Sequence, residues 1–471
     1  MQFEREIGRL MFGLLILLFL VMGSSAYWVM TGPESLLLRE DNPRQAEFQQ
    51  SIQRGSLYDA MGVVIAQTVP DTNAVLQRQY LNNAFFGALG YYSFRYGTGG
   101  VEASVDPLLS GSADERSWQQ WFGETVLHQP RTGYDVQLSL QTSVQEAITS
   151  AMVGRSGAIV VLNARTGKLV GLASMPTYDP NTLDTTWETL TKDPDNPFFN
   201  RVLQGSYQAG GTLQIPLMAV AHLGGSDTTS ELANASAVVQ VGDLNLACAI
   251  EPPADALSLQ SAFSYGCPSP FANLVNTLDE TALRTTLDTF ALEQSPTIDV
   301  ALPVENLLTP TPAFITTPEP TTTLLEDALG QGNITVNPLA LARYMAAVVN
   351  DGTSPALRLA VALRPPNTTT WQAIPSSGLP VSLLTSEAAR QLQQWMLASS
   401  EMTGIAPEGT GSHVAISRTG EQSLAWFVGF RTIGTDPVVV VVVLENATDV
   451  QRAAQIGIAG LNAYVAFASA P

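Results

Sequence analysis

Lysine is almost missing from this chain. Of 471 residues only Lys168 and Lys192 are lysines, and none follows position 192. Lys168 ends the turn Asn-Ala-Arg-Thr-Gly-Lys and Lys192 lies in Thr-Lys-Asp-Pro-Asp-Asn-Pro, so both read as solvated charges rather than desolvated bases. Histidine is nearly as scarce: His128, His222 and His413 are scattered, and no ligand spacing links them to one another or to cysteine. No metal or cofactor is expected. Cysteine is limited to Cys248 and Cys267, which leaves open one disulfide or two separate thiols. Basic residues are outnumbered 22 to 42, for a net charge of −20. That balance argues against nucleic acid as a partner, which requires a basic footprint. It also disfavours adhesion to anionic headgroups, and its ordinary meaning is solubility.

One apolar run reaches the length of a bilayer span. Leu10 to Met30 holds no charge, and Tyr27 and Trp28 sit at its far end, where aromatic rings favour the membrane interface. Arg5 and Arg9 precede it but are offset by Glu4 and Glu6. A retained anchor is the preferred reading. A cleaved signal peptide is the other, since Ser24-Ser25-Ala26 supplies small residues. Either way the remainder is exported.

Beyond it, Arg54 to Thr68 reads as two short strands around Ala-Met-Gly, and Gly133 to Leu140 alternates as a strand leading into a second domain. Gly157 to Asn163 and Lys168 to Ser174 are apolar runs joined by Ala-Arg-Thr-Gly, a hairpin. His-Val-Ala-Ile-Ser, Leu-Ala-Trp-Phe-Val-Gly-Phe and Pro437 to Glu445 give three further strands. The last is too apolar for a one-sided strand and is expected at the buried centre of a sheet. Asp449 to Ser469 has helical spacing, and Thr309 to Thr323 is a Thr/Pro-rich loop. The expected fold is α+β: an antiparallel sheet of about five strands flanked by helices, with a helical subdomain.

Phe198 to Leu217 reads FFNRVLQGSYQAGGTLQIPL. It resembles the active-site entry of class B penicillin-binding proteins, where Asn-Arg is followed by Tyr-Pro-Pro-Gly-Ser-Thr-Phe-Lys. Asn200, Arg201, Tyr207, Gly210 and Thr212 are in register, but the Ser position is Gly211 and the Lys position is Gln214. The resemblance implies a nucleophilic Ser activated by the Lys one turn on, and neither is here. A glutamine amide is no base, and loss of such a nucleophile costs on the order of 10⁶ in turnover in a serine protease. The family's Ser-x-Asn motif aligns with Leu259 to Leu274, placing Gly266 at the Ser and Pro268 at the Asn. Its Lys-Thr-Gly-Thr becomes Arg418-Thr419-Gly420-Glu421. Arg418 keeps a cation able to hold a carboxylate bidentately. Thr419 and Gly420 leave a groove edge suited to an extended peptide, while Glu421 adds an opposing charge.

Other stretches match architecture. Arg54, Gly55, Asp59, Gly62 and Ala66 fit the signature opening the family's pedestal, and Phe85 to Gly111 resembles the short pedestal of the penicillin-binding protein A group. Met175 to Asn181 and Ala328 to Gly352 match further family segments. The resemblance implies a penicillin-binding transpeptidase fold divided into a cytoplasmic tail (1–9), a transmembrane anchor (10–30), a dimerisation-type pedestal (31–133) and a transpeptidase-like domain (134–471). It also implies a polytopic peptidoglycan glycosyltransferase as membrane partner and a peptidoglycan peptide as ligand. Ser206, Thr212 and His413 are the candidates for a relocated mechanism, and none has an evident partner. The expectation is an inactive, membrane-anchored, extracytoplasmic protein that binds or scaffolds in cell-wall synthesis. The alternatives are an active D,D-transpeptidase or carboxypeptidase with a non-standard nucleophile, and a peptidoglycan or β-lactam sensor.

Overall fold

The computed structural model describes residues 2–37, 52–72, 75–113, 118–125, 127, 129–278, 280–291, 298–299, 323–332, 334–376, 378–419 and 422–469. The chain forms two compact units: 1–53, 69–77 and 116–131 make the smaller, and 54–68, 78–115 and 132–471 the larger. The Thr309 to Thr323 loop lies mostly outside the described residues.

The smaller unit contains helix α1 (Gln2–Leu37), which overruns both ends of the expected 10–30 segment. Its apolar window is Ile7–Ser25, and it is the one helix among the described residues long and apolar enough to cross a membrane. Leu10, Phe19 and Leu20 are exposed along it. In the same unit Arg131 pairs with Glu124 at 2.7 Å.

The larger unit opens on Arg54, and two of its signature residues, Arg54 and Asp59, have a mechanical task. Arg54 contacts Asp106 at 2.5 Å and Glu102 at 2.9 Å, while Arg78 Nε donates to the other Glu102 oxygen at 2.7 Å. Burial would raise the Glu102 carboxyl, but Arg78 and Arg54 outweigh it and hold its pKa below the ordinary value. Asp59 Oδ1 accepts from the backbone of Met61 and Val63, closing the turn between strands Leu57–Tyr58 and Val64–Pro70. The strand expected over Gly133 to Leu140 spans Asp135–Leu138. It pairs parallel with Leu57–Tyr58 and antiparallel with Ala360–Arg364, so it belongs to a second sheet.

The main sheet is built from β1 (Gly157–Asn163), β2 (Leu169–Met175), β3 (Thr410–Thr419), β4 (Gln422–Ile433) and β5 (Asp436–Glu445), in spatial order β3-β4-β5-β1-β2 with every pairing antiparallel. β5 is central, as its composition predicts: Val438 to Val443 are all fully buried. Alternation sends Val439, Val441 and Val443 into one apolar layer and Val438, Val440 and Val442 into the other. Each such valine contributes roughly 1.5–3 kcal/mol of gross burial energy.

The helices that cover these faces are α2 (Thr142–Ala151), α3 (Gln214–Leu223), α4 (Leu259–Tyr265), α5 (Ser269–Val275), α6 (Pro338–Val349), α7 (Ser386–Thr403) and α8 (Val450–Ala468). Val144 and Ile148 of α2 share the second layer with Ile456 and Leu461 of α8. Met218 of α3, Phe263 of α4, Met345 of α6 and Trp395 of α7 fill the first. Caps fix where the helices start. Asn337 accepts from Leu339 and Ala340 ahead of α6, and Asp449 accepts from Arg452 ahead of α8. The Asn337 amide also donates to the carbonyls of Leu203 and Gly205, tying α6 to the segment that enters the site.

Candidate functional site

The entry segment is fastened to the end of the central strand. Arg201 Nε lies 2.9 and 3.0 Å from the two Glu445 oxygens, and the Tyr207 hydroxyl donates to Glu445 at 2.8 Å. Asn200 Oδ1 accepts from the backbone of Val202 and Leu203, setting the turn. Tyr207–Gln208 then pairs with Thr335–Val336, and Gly210 N donates to the Gly330 carbonyl at 3.0 Å. Gly210 has φ +51, and a Cβ there would lie 2.3 Å from the Ser417 Cβ, so glycine is required. A 3₁₀ turn, Gly210–Leu213, leads into α3.

Gly211 presents only backbone. Its carbonyl is 3.0 Å from His413 Nε2. A carbonyl can only accept, so Nε2 carries the proton and Nδ1 is bare; Nδ1 is buried without a hydrogen-bond partner. His413 stacks on Phe263 with centroids 4.3 Å apart, and burial pulls its pKa down to about 4. It is a neutral ring facing an amide, with no hydroxyl to deprotonate. Gln214 is 3 % exposed; its Nε2 donates to the Cys267 carbonyl at 3.3 Å, while Oε1 is buried and unpartnered.

The second motif position is shaped by helix ends. Gly266 terminates α4 in the left-handed conformation (φ 63, ψ 37), the favoured role of glycine there, and Pro268 precedes α5. Cys267 between them is disulfide-bonded to Cys248, which settles the choice left open by the sequence. The bond holds the segment Asn245 to Ala249 against α4, where Ala249 N donates to the Gly266 carbonyl.

At the third motif, β3 alternates without a bulge. Ala415 and Ser417 meet the Gly210–Gly211 turn on the same face as His413, and Ser417 Oγ accepts from Trp426 Nε1 at 3.0 Å. Arg418 emerges on the other face, at the cleft rim beside Ile416, and has no ion-pair partner among the described residues. Thr419 pairs through its backbone with Gln422. Gly420 and Glu421 lie outside the described residues.

Gly211, Gln214, Gly266, Pro268 and Arg418 thus line one cleft, of only about 60 Å³, room for a few waters. Sequence reasoning missed the wall made by Asn245 to Cys248 and by Gln331. The signal was Cys267: a disulfide partner of a residue inside the motif has to stand at the cleft. Among the described lining residues there is no serine, threonine, lysine, histidine or carboxylate, and the one cysteine is in the disulfide. Ser206 shares a hydrogen bond with Thr335 at 2.6 Å, and Thr212 is fully buried, donating to the Ala209 carbonyl at 2.6 Å.

Residues 157–460 match the penicillin binding protein transpeptidase domain family, and residues 54–136 match the penicillin binding protein A dimerisation domain. The peptidoglycan D,D-transpeptidase PbpA of Mycolicibacterium smegmatis is 26 % identical over 476 residues, covering 94 % of each chain. That of Mycobacterium tuberculosis is 27 % identical over 445 residues, covering 88 % of each. The crystal structure of the M. tuberculosis protein superposes with a TM-score of 0.74 at 25 % identity, over 88 % of this chain and 99 % of that one. The same protein as a ceftriaxone acyl-enzyme complex gives 0.75 at 24 %, over 89 % and 99 %. The family match over residues 157–460 and the fold agree, and the chain belongs to the penicillin-binding transpeptidase family of peptidoglycan synthesis.

Proposed function

We propose that this chain is a non-catalytic member of its family, anchored by α1 with its bulk outside the cytoplasm, and that it binds or scaffolds within a cell-wall synthesis assembly. The observation that carries this reading is the cleft itself: among its described lining residues no side chain offers a nucleophilic oxygen or a nitrogen free to take a proton, Arg418 being a permanent cation. Acyl transfer through a covalent intermediate requires both. The M. tuberculosis relative is seen as an acyl-enzyme with ceftriaxone; here the corresponding turn offers Gly211, with no side chain to acylate.

Retention of the frame supports a binding role. The Arg201–Glu445 pair, the Asn337 cap and the buried Arg54–Glu102 contact are all intact. A chain free of constraint would lose such buried ion pairs early, because one missing partner leaves a buried charge and costs about 3–5 kcal/mol. Arg418 at the rim is the group positioned to hold a peptidoglycan stem carboxylate, and a polytopic glycosyltransferase is the membrane partner the family architecture suggests.

The test is D-alanine release from a synthetic pentapeptide stem by the detergent-extracted full-length chain. The expected result is no release above buffer. Release that saturates with peptide would overturn the reading.

A further inference from the structure

A second cavity, of about 350 Å³, shares no lining residue with the cleft. Its wall includes the rings of Tyr91, Tyr178 and Phe198 and the amides of Asn200 and Gln204, over a floor of glycine backbone. The rings hold one another: Tyr178 and Phe198 are 4.7 Å apart, Tyr91 and Phe198 5.8 Å, and Trp187 backs Phe198 at 5.0 Å. Such mutual packing makes a preformed aromatic wall.

The two side-chain amides have donors to spare. Asn200 Oδ1 is used by two backbone amides and Gln204 Oε1 by Asn200 N, so each side chain has its NH₂ left to donate. The Tyr178 phenol is pushed up by burial and stays protonated, a further donor. Among the described lining residues there is no acidic or basic side chain. A phosphate, carboxylate or ammonium ligand would enter without a countercharge, which burial penalises. A volume within the usual ~300–1,000 Å³ of small-molecule sites, aromatic walls and amide donors together describe a neutral ring with an apolar face and acceptor oxygens on its edge.

We propose that this cavity binds the N-acetylhexosamine ring of a glycan strand. The ring's C–H face lies on the aromatic wall, and its acetamide carbonyl and hydroxyl oxygens accept from Asn200 and Gln204. The site is separate from the cleft, and the inference stands whether or not the cleft is catalytic.

The test is calorimetric titration of the full-length protein in detergent with tetra-N-acetylchitotetraose, with maltotetraose as control. Saturable binding of the first is expected, weakened about 3–10-fold by Gln204→Ala, an exposed position whose side chain also accepts from Asn200 N, with thermal melting reporting that the variant is folded. Tyr91→Leu is expected to weaken it as well, with thermal melting reporting that the variant is folded. Absence of saturable heat at about 10 mM sugar, equal binding of maltotetraose, or binding indifferent to Gln204→Ala would each overturn the proposal.

Discussion

The Ala249 methyl occupies the space that a side chain at position 266 would need: a Cβ on Gly266 would lie 2.8 Å from it and 2.7 Å from the Val414 carbonyl oxygen. The left-handed backbone at Gly266 adds a second obstacle. Position 211 differs, since a Cβ there is tight only against the Ala415 methyl, at 3.1 Å, with Ala415 Cα and Gln214 Nε2 at an ordinary 3.6 Å. The double variant Gly211→Ser, Gln214→Lys is therefore expected to fold, losing about 1–3 kcal/mol to tight packing, and to remain inert toward labelled penicillin. Adding Gly266→Ser should cost at least a further ~1–3 kcal/mol for the left-handed backbone. Thermal melting and gel fluorescence measure the two effects. Acylation of the double variant would show that the second motif position matters less than its geometry implies.

His413 gives the fold a pH dependence. Its pKa lies near 4 when folded against an ordinary 6.5, so the unfolded chain takes up a proton first as pH falls. Its contribution is whole above pH 6.5 and erodes down to about 4, by up to about 1.4 kcal/mol per pH unit. Denaturant melts of the wild type and His413→Asn across that range should differ in slope, with the variant flatter.

Glu102 sits between Arg54 and Arg78 with its pKa lowered, so its stabilisation is present above the ordinary 4.5 and fades as pH falls below that. Glu102→Ala leaves two guanidinium groups facing a void and should cost about 3–5 kcal/mol. Urea midpoints measured at neutral pH check this.

Reduction of Cys248–Cys267, which closes a loop of sequence separation 19, should cost about 3 kcal/mol and free the Asn245 to Ala249 wall. Hydrogen exchange with and without reductant should show faster exchange at residues 239–249, with β5 unchanged.

The sheet was legible because its signals are local. The valine run of β5 marks the centre by composition, and the Ala-Arg-Thr-Gly turn marks the β1–β2 hairpin. The partner of Asp135–Leu138 was not, because Ala360–Arg364 lies more than 200 residues on and nothing local specifies that pairing. At the site, alignment read the losses at Gly211, Gln214, Gly266 and Pro268. It could not show that Ala249 fills the space beside Gly266, or that His413 is spent on the Gly211 carbonyl. Those are contacts between segments distant in sequence.

The most direct test is intact-protein mass spectrometry of the full-length chain after incubation with penicillin G and denaturation. The unmodified mass alone is predicted. A species heavier by one opened penicillin, mapped to any residue of the cleft, would contradict the non-catalytic reading and name its nucleophile.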